Sequence, residues 1–156
     1  MAHEIGMKWD IRFLRLAHHI SQWSKDPSTK VGAVIVDNCR RIVGTGYNGF
    51  PAGVDDDGRL DIREQKYEIV VHAEVNAILN AGDRARGGTI YITPMFSCSR
   101  CAGLVIQSGI KRVVAVERSD GNIEAWAGSR GVARTMYYEA GVNYTLMTPD
   151  VLDEEL

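Results

Sequence analysis

Apolar and polar positions along the chain alternate between two rhythms. From Lys8 to Ser24 the apolar residues Trp9, Phe13, Leu16, Ala17, Ile20 and Trp23 recur at helical spacing, which predicts a helix with one buried stripe. Asp26-Pro27-Ser28 ends it. Val31 to Val36 is a short β-branched run and predicts a strand, Asp37-Asn38 a turn, and Arg41 to Tyr47 an antiparallel partner. The helical rhythm returns at His72 to Asn80, Cys98 to Gln107 and Ser129 to Ala140, with Gly82, Gly109 and Gly141 as stops. Thr89 to Thr93, Arg112 to Val116 and Val142 to Leu146 predict three further strands. Between Asn48 and Val71 neither rhythm holds. Glycines, Pro51 and the run Asp55-Asp56-Asp57 predict a long irregular excursion, with Tyr67 to Val71 turning back toward the core.

The resulting order, α-β-β-α-β-α-β-α-β, is that of an α/β fold. A hairpin followed by β-α-β units implies a mixed five-stranded sheet with helices on both faces, three layers in all. A chain of 156 residues is one domain's worth of protein. A core of about 8–147 is expected, and the acidic end, Asp150 to Leu156, reads as a flexible tail.

Composition narrows the function. Eighteen basic against twenty acidic residues leave a net charge of −2, so no polynucleotide partner is expected, because phosphate backbones need a cationic surface. No apolar run approaches the roughly 20 residues of a membrane span, and Met1 to Lys8 lacks a leader's apolar segment. A cytoplasmic location and no membrane partner follow as expectations.

The candidate chemistry starts with the cysteines. Cys39 lies in a predicted turn and reads as a bystander; Cys98-Ser99-Arg100-Cys101 is either a redox couple or half of a metal site. His72-Ala73-Glu74 supplies the missing half. Each motif opens a predicted helix, and one strand lies between them, so both helix starts fall at one edge of the sheet, where α/β folds bind ligands. One imidazole and two thiolates make three ligands. Zn²⁺ prefers four, and His3, His18 and His19 are not placed to close the set. This arithmetic favours an open metal that carries water. The positive ends of the two helices stabilise thiolates. Side chains of a first turn lean toward the helix start, so Glu74 can reach the water held beside His72 and act as general acid and base.

These residues carry a resemblance. The chain resembles the zinc-dependent cytidine and deoxycytidylate (dCMP) deaminases, whose signature is H-x-E followed by P-C-x-x-C. The supporting stretches are Ser24 to Ala33, Gly46 to Gly53, Val71 to Ile78 and Ile106 to Lys111; the first two are what resemble dCMP deaminases in particular. One departure is Ser97, where the family has proline; its hydroxyl is expected to cap the following helix. The resemblance implies a single deaminase domain over 1–156 with a cytidine deaminase-like fold. It implies one catalytic Zn²⁺ held by His72, Cys98 and Cys101, with Glu74 as proton shuttle, and hydrolysis of dCMP to dUMP and ammonia by zinc-activated hydroxide at carbon 4. It places Val31 against the base, Ala73 N–H on the base carbonyl, the Phe96 carbonyl on the exocyclic amine, and Asn48 on the sugar or the water. Lys25 and Ser28, with Arg130 and Arg134, are candidates for the 5′-phosphate. It further implies a homo-hexamer activated by dCTP and inhibited by dTTP, with Mg²⁺ on the triphosphate, and an effector pocket around Tyr47, Asn48 and Gly49. Three other readings stay open: a deaminase of another cytosine or purine compound, a non-catalytic module braced by zinc, and a thiol-disulfide oxidoreductase using Cys98 and Cys101.

Overall fold

The structure, a computed structural model, describes residues 2–117 and 128–153. Five strands among them form one sheet: β1 (Gly32–Val36), β2 (Ile42–Tyr47), β3 (Thr89–Thr93), β4 (Arg112–Val116) and β5 (Asn143–Met147), in the spatial order β2-β1-β3-β4-β5. β1 is antiparallel to both β2 and β3, while β3, β4 and β5 run parallel, so the sheet is mixed as the element order implies.

β1 is buried along its whole length, which explains why its sequence is a continuous apolar run and not an alternating one. Its side chains still alternate in direction. Val34 and Val36, with Tyr91, Val114 and Val116, face helix α1 (Ala2–Ser21) and its Phe13, Leu14, Ala17 and Ile20. Ala33 and Ile35, with Ile90, Ile92, Val113 and Ala115, face α3 (Ala73–Ala81), α4 (Ser99–Gln107) and α5 (Ser129–Ala140) on the other side. The result is the α-β-α sandwich. Leu14 and Val34 are fully buried, and each contributes about 1.5–3 kcal/mol relative to an exposed side chain. No helix among the described residues is long and apolar enough to cross a membrane.

Two glycines decide how closely α3 lies on the sheet. Gly44 and Gly46 sit two apart on β2 and so share a face. A Cβ at Gly44 would stand 2.5 Å from the carbonyl oxygen of Ala77, and one at Gly46 would stand 2.4 Å from that of Ala73. Their bare backbone lets the start of α3 rest directly on β2.

Three expectations need correction. First, α1 begins six residues before Lys8. Second, the stretch from Asn48 to Val71 holds a 3-10 turn, Gly58–Asp61, and a short helix α2, Arg63–Ile69. The sequence Arg-Glu-Gln-Lys-Tyr-Glu-Ile has no apolar stripe, and the buried residue of α2 is Lys66, so hydrophobic periodicity has nothing to detect. Tyr67 does not turn into the core; it is 59% exposed. Third, the acidic end is not a free tail from residue 150. Pro149–Leu152 forms a 3-10 turn whose Val151 and Leu152 pack on the α1 layer, and Arg15 Nε donates to the Val151 carbonyl at 2.8 Å. Residues 154–156 lie outside the described residues.

Candidate metal centre and its cavity

The geometry of the site begins with two helix starts. His72 and Cys98 are the N-cap residues of α3 and α4, both with extended backbone, φ −72° and −73°. The two helices pack side by side, so both caps face the same point. His72 Nδ1 lies 3.2 Å from Cys101 Sγ and 3.5 Å from Cys98 Sγ, and all three donor atoms fall within 4.8 Å of one another. The Cys98 sulfur also accepts the Cys101 backbone N–H at 3.5 Å, a capping bond that fixes its position on the helix axis.

A tetrahedral Zn²⁺ with bonds of about 2.0–2.3 Å separates nitrogen and sulfur ligands by roughly 3.5 Å. The observed N···S separations are within about 0.3 Å of that edge length, so the donor set suits the ion. Electrostatics agree with a cation between them. Hydrogen bonds from Cys101 and His72 draw the Cys98 thiol down to about 4. The same bond to Cys98, followed by burial and the nearby Glu74, pushes Cys101 up, and the bond to Cys98 raises His72. Glu74, in the first turn of α3, is 4% exposed; burial is the main cause of its carboxyl rising above the usual carboxylate range. It lines the same cavity as His72 and Cys98, which puts an acid-base group beside the ligand cluster.

His72, Glu74 and Cys98 line a cavity of about 270 Å³. Val31, Ala73 and Phe96 line it, as does Asn48. Asn48 is heavily used by the backbone: Oδ1 accepts the Val31 N–H at 2.8 Å, and Nδ2 donates to the Thr29 carbonyl at 3.0 Å and to Asp26 at 3.4 Å. Its amide therefore holds the start of β1 in place at the cavity wall. Ser28 and Arg130 reach the cavity; Lys25 and Arg134 are not among its lining residues. Lys25 is exposed and pairs with Asp56 at 2.5 Å, and Arg134 Nε donates to the Tyr144 hydroxyl at 3.2 Å. Arg130 is held by Glu117, whose other oxygen accepts the Phe96 N–H at 3.2 Å.

Ser97 does not cap α4. Cys98 holds that position, and the buried Ser97 hydroxyl bonds the Tyr137 hydroxyl at 2.9 Å instead. Sequence reasoning also misses Lys66. It is 4% exposed, donates to Asp26 at 3.1 Å and to Ser28 at 3.2 Å, and lines the cavity. A polar helix inside an irregular stretch gives no signal for it. A second cavity, about 260 Å³, is lined by Tyr47, Asn48 and Gly49 together with Trp23, Lys25 and Asp56; Asp26 and Asn48 lie in the wall between the two.

Residues 7–117 match the family model described as the cytidine and deoxycytidylate deaminase zinc-binding region. Over 145 residues the chain is 43% identical to an uncharacterized deaminase of the luxG 3′ region of Aliivibrio fischeri, covering 93% of this chain and 97% of that one. Over 154 residues it is 38% identical to the human deoxycytidylate deaminase, covering 92% of this chain and 82% of that one. Among solved structures, the dCMP deaminase of cyanophage S-TIM5 in complex with dCMP and dUMP superposes with a TM-score of 0.67 at 25% identity, covering 87% and 94% of the two chains.

Proposed function

Because the chain belongs to the cytidine and deoxycytidylate deaminase family, we propose that this enzyme hydrolyses dCMP to dUMP and ammonia. The observation that carries the proposal is the joint placement of His72, Cys98 and Cys101 around one point, with the buried Glu74 beside them, on the wall of a nucleotide-sized cavity. His72, Cys98 and Cys101 would hold Zn²⁺. When bound, that ion supplies Lewis-acid activation of water near neutral pH.

The chain's own residues do the remaining work. Glu74 takes one proton from the attacking water and delivers it to ring N3, then takes the second proton from the oxygen added at carbon 4 and delivers it to the departing amine. In balance, water adds at carbon 4, the carbon–nitrogen bond breaks, and the amine leaves as ammonia. Ala73, at the first position of α3, offers one of the N–H groups that a helix cannot satisfy internally, and it suits the base carbonyl. The Phe96 carbonyl accepts from the exocyclic amine, and Val31 packs on the ring. Asn48 has one Oδ1 lone pair beyond its bond to Val31 with which to meet the sugar or the water.

A substrate panel tests this reading. Ammonia release and ultraviolet absorbance are followed for dCMP, cytidine, guanine and adenosine. Turnover is expected with dCMP ahead of the others; no turnover of any cytosine nucleotide by zinc-loaded protein would overturn it.

The same reading extends to control and assembly: a cytoplasmic homo-hexamer activated by dCTP and inhibited by dTTP, with Mg²⁺ on the triphosphate. What supports it is the second cavity beside the first, with Tyr47, Asn48 and Gly49 in its wall. Lys25 is the cation there, and a triphosphate would draw it from Asp56. Sigmoidal rates in dCMP, made hyperbolic by dCTP and depressed by dTTP, are expected. Indifference to both nucleotides would overturn this part alone.

A further inference from the structure

The two halves of the ligand set are anchored in different ways. The stretch that brings His72 is tied by backbone: the Val71 N–H donates to the Gly49 carbonyl at 2.8 Å, and the Gly49 N–H returns a bond to the Val71 carbonyl at 3.1 Å. The stretch that brings Cys98 is gripped by side chains. Ser97 stands where the family has proline, so no ring locks its φ. Its hydroxyl bonds the Tyr137 hydroxyl at 2.9 Å instead. One residue before it, the Phe96 N–H is accepted by Glu117 Oε2 at 3.2 Å; one residue after Cys98, the Ser99 N–H is accepted by Ser129 Oγ at 2.8 Å.

Among these partners Glu117 is the charged one, and its own position is fixed. It follows β4 directly, and its N–H donates to the Met147 carbonyl of β5 at 3.0 Å, so its backbone continues the sheet. β3 and β4 are parallel neighbours, which brings the chain leaving β3 toward Cys98 past the end of β4. The Glu117 side chain is 10% exposed, and its second oxygen is paired with Arg130 in the first turn of α5. One carboxylate thus joins the sheet edge, the ligand loop and α5. Enclosing a carboxylate carries a desolvation cost that a neutral residue ending a strand would not have. In exchange, a charged acceptor holds an amide N–H about twice as strongly as a neutral one.

We propose that Glu117 is a positioning residue of the metal centre: through the Phe96 N–H, and steadied by Arg130, it holds the loop before Cys98 in the conformation that presents the thiolates to the ion. This rests on the zinc deaminase reading above. A loop already in place loses less conformational freedom when the ion binds, so the effect is read in metal affinity and not only in turnover.

The test titrates the zinc-loaded full chain with a chromophoric chelator and follows thermal unfolding of each variant. Glu117→Met keeps the bulk of the side chain and removes the acceptor; zinc binding is expected to weaken about 10–30-fold, within the range found for groups that orient metal ligands. Glu117→Gln keeps an oxygen for the Phe96 N–H and is expected to stay within about threefold of the parent. Arg130→Met leaves that bond and removes the ion pair, with a loss of about threefold to tenfold expected. Lower thermal stability in Glu117→Met with zinc affinity less than about threefold weakened would assign Glu117 to the fold alone and overturn the proposal, as would a Glu117→Gln chain as weak as Glu117→Met. Should Glu117→Met not fold, Arg130→Met supplies the answer: a loss of about threefold or more supports the proposal, and a smaller one overturns it. An unsubstituted chain that binds no zinc would instead remove the reading on which the proposal stands.

Discussion

Beside the larger cavity, His72, Glu74, Cys98 and Cys101 come from two short stretches of chain, each opening a helix. Elsewhere on its lining, Asp26, Ser28, Asn48 and Lys66 come from the loop after α1, the end of β2 and a polar helix, with Asp26 and Lys66 40 positions apart in sequence. The first set is a local device: an N-cap fixes one ligand, and the next turn fixes its partner. The second set is a tertiary one, since Asp26 gathers N–H groups both from its own loop, at Ser28 and Thr29, and from Lys66 on helix α2. A reacting centre needs tight mutual geometry, which helix starts supply cheaply.

Variants in the two sets should therefore behave differently. The largest effect is expected from Cys101→Ser, which removes a ligand: zinc content falls well below one per chain and turnover drops to background with every substrate, as read by elemental analysis beside ammonia release. Glu74→Gln comes next. It keeps the ligand set, so zinc stays bound while kcat falls about 10²–10⁴-fold, by the same factor for dCMP and deoxycytidine. A Glu74→Gln enzyme whose loss depended on the phosphate would blur the two sets into one. Gly46→Ala acts on the frame. Its Cβ would meet the Ala73 carbonyl oxygen and the Ala77 nitrogen, both at 2.4 Å, and backbone cannot give way cheaply. A destabilisation of about 1–3 kcal/mol in urea is expected, with lowered zinc affinity because α3 carries His72. The smallest effect belongs to Tyr137→Phe. It deletes the buried bond to Ser97 at a cost of about 1–2 kcal/mol, with kcat for dCMP nearly that of the parent. A large kcat loss there would show that Ser97 shapes the cavity wall before Cys98.

The same contrast explains what the sequence reveals. Strands β3 and β4 and helix α5 stand where periodicity predicts them, because β-branched runs and a 3.6-residue stripe are properties of adjacent residues. The ligand motifs are legible for the same reason: His72 and Glu74 are two apart, and Cys98 and Cys101 three. Lys66 is not legible. Its burial depends on Asp26, and the helix that carries it lacks an apolar face. Lys25 misleads in the opposite way. It follows the first helix in a stretch that suits a phosphate site, yet its side chain turns outward to Asp56 and the second cavity. The capping role expected of Ser97 fails by one residue, since Cys98 takes the cap and frees the serine for Tyr137.

The central claim is that His72, Cys98 and Cys101 hold the ion on which turnover depends. It is tested most directly by stripping the purified enzyme with a chelator, restoring Zn²⁺ in steps, and measuring ammonia release from dCMP against bound metal. The account predicts a rate that rises linearly to a plateau at one zinc per chain. Full-rate release from protein shown to contain no metal would contradict it.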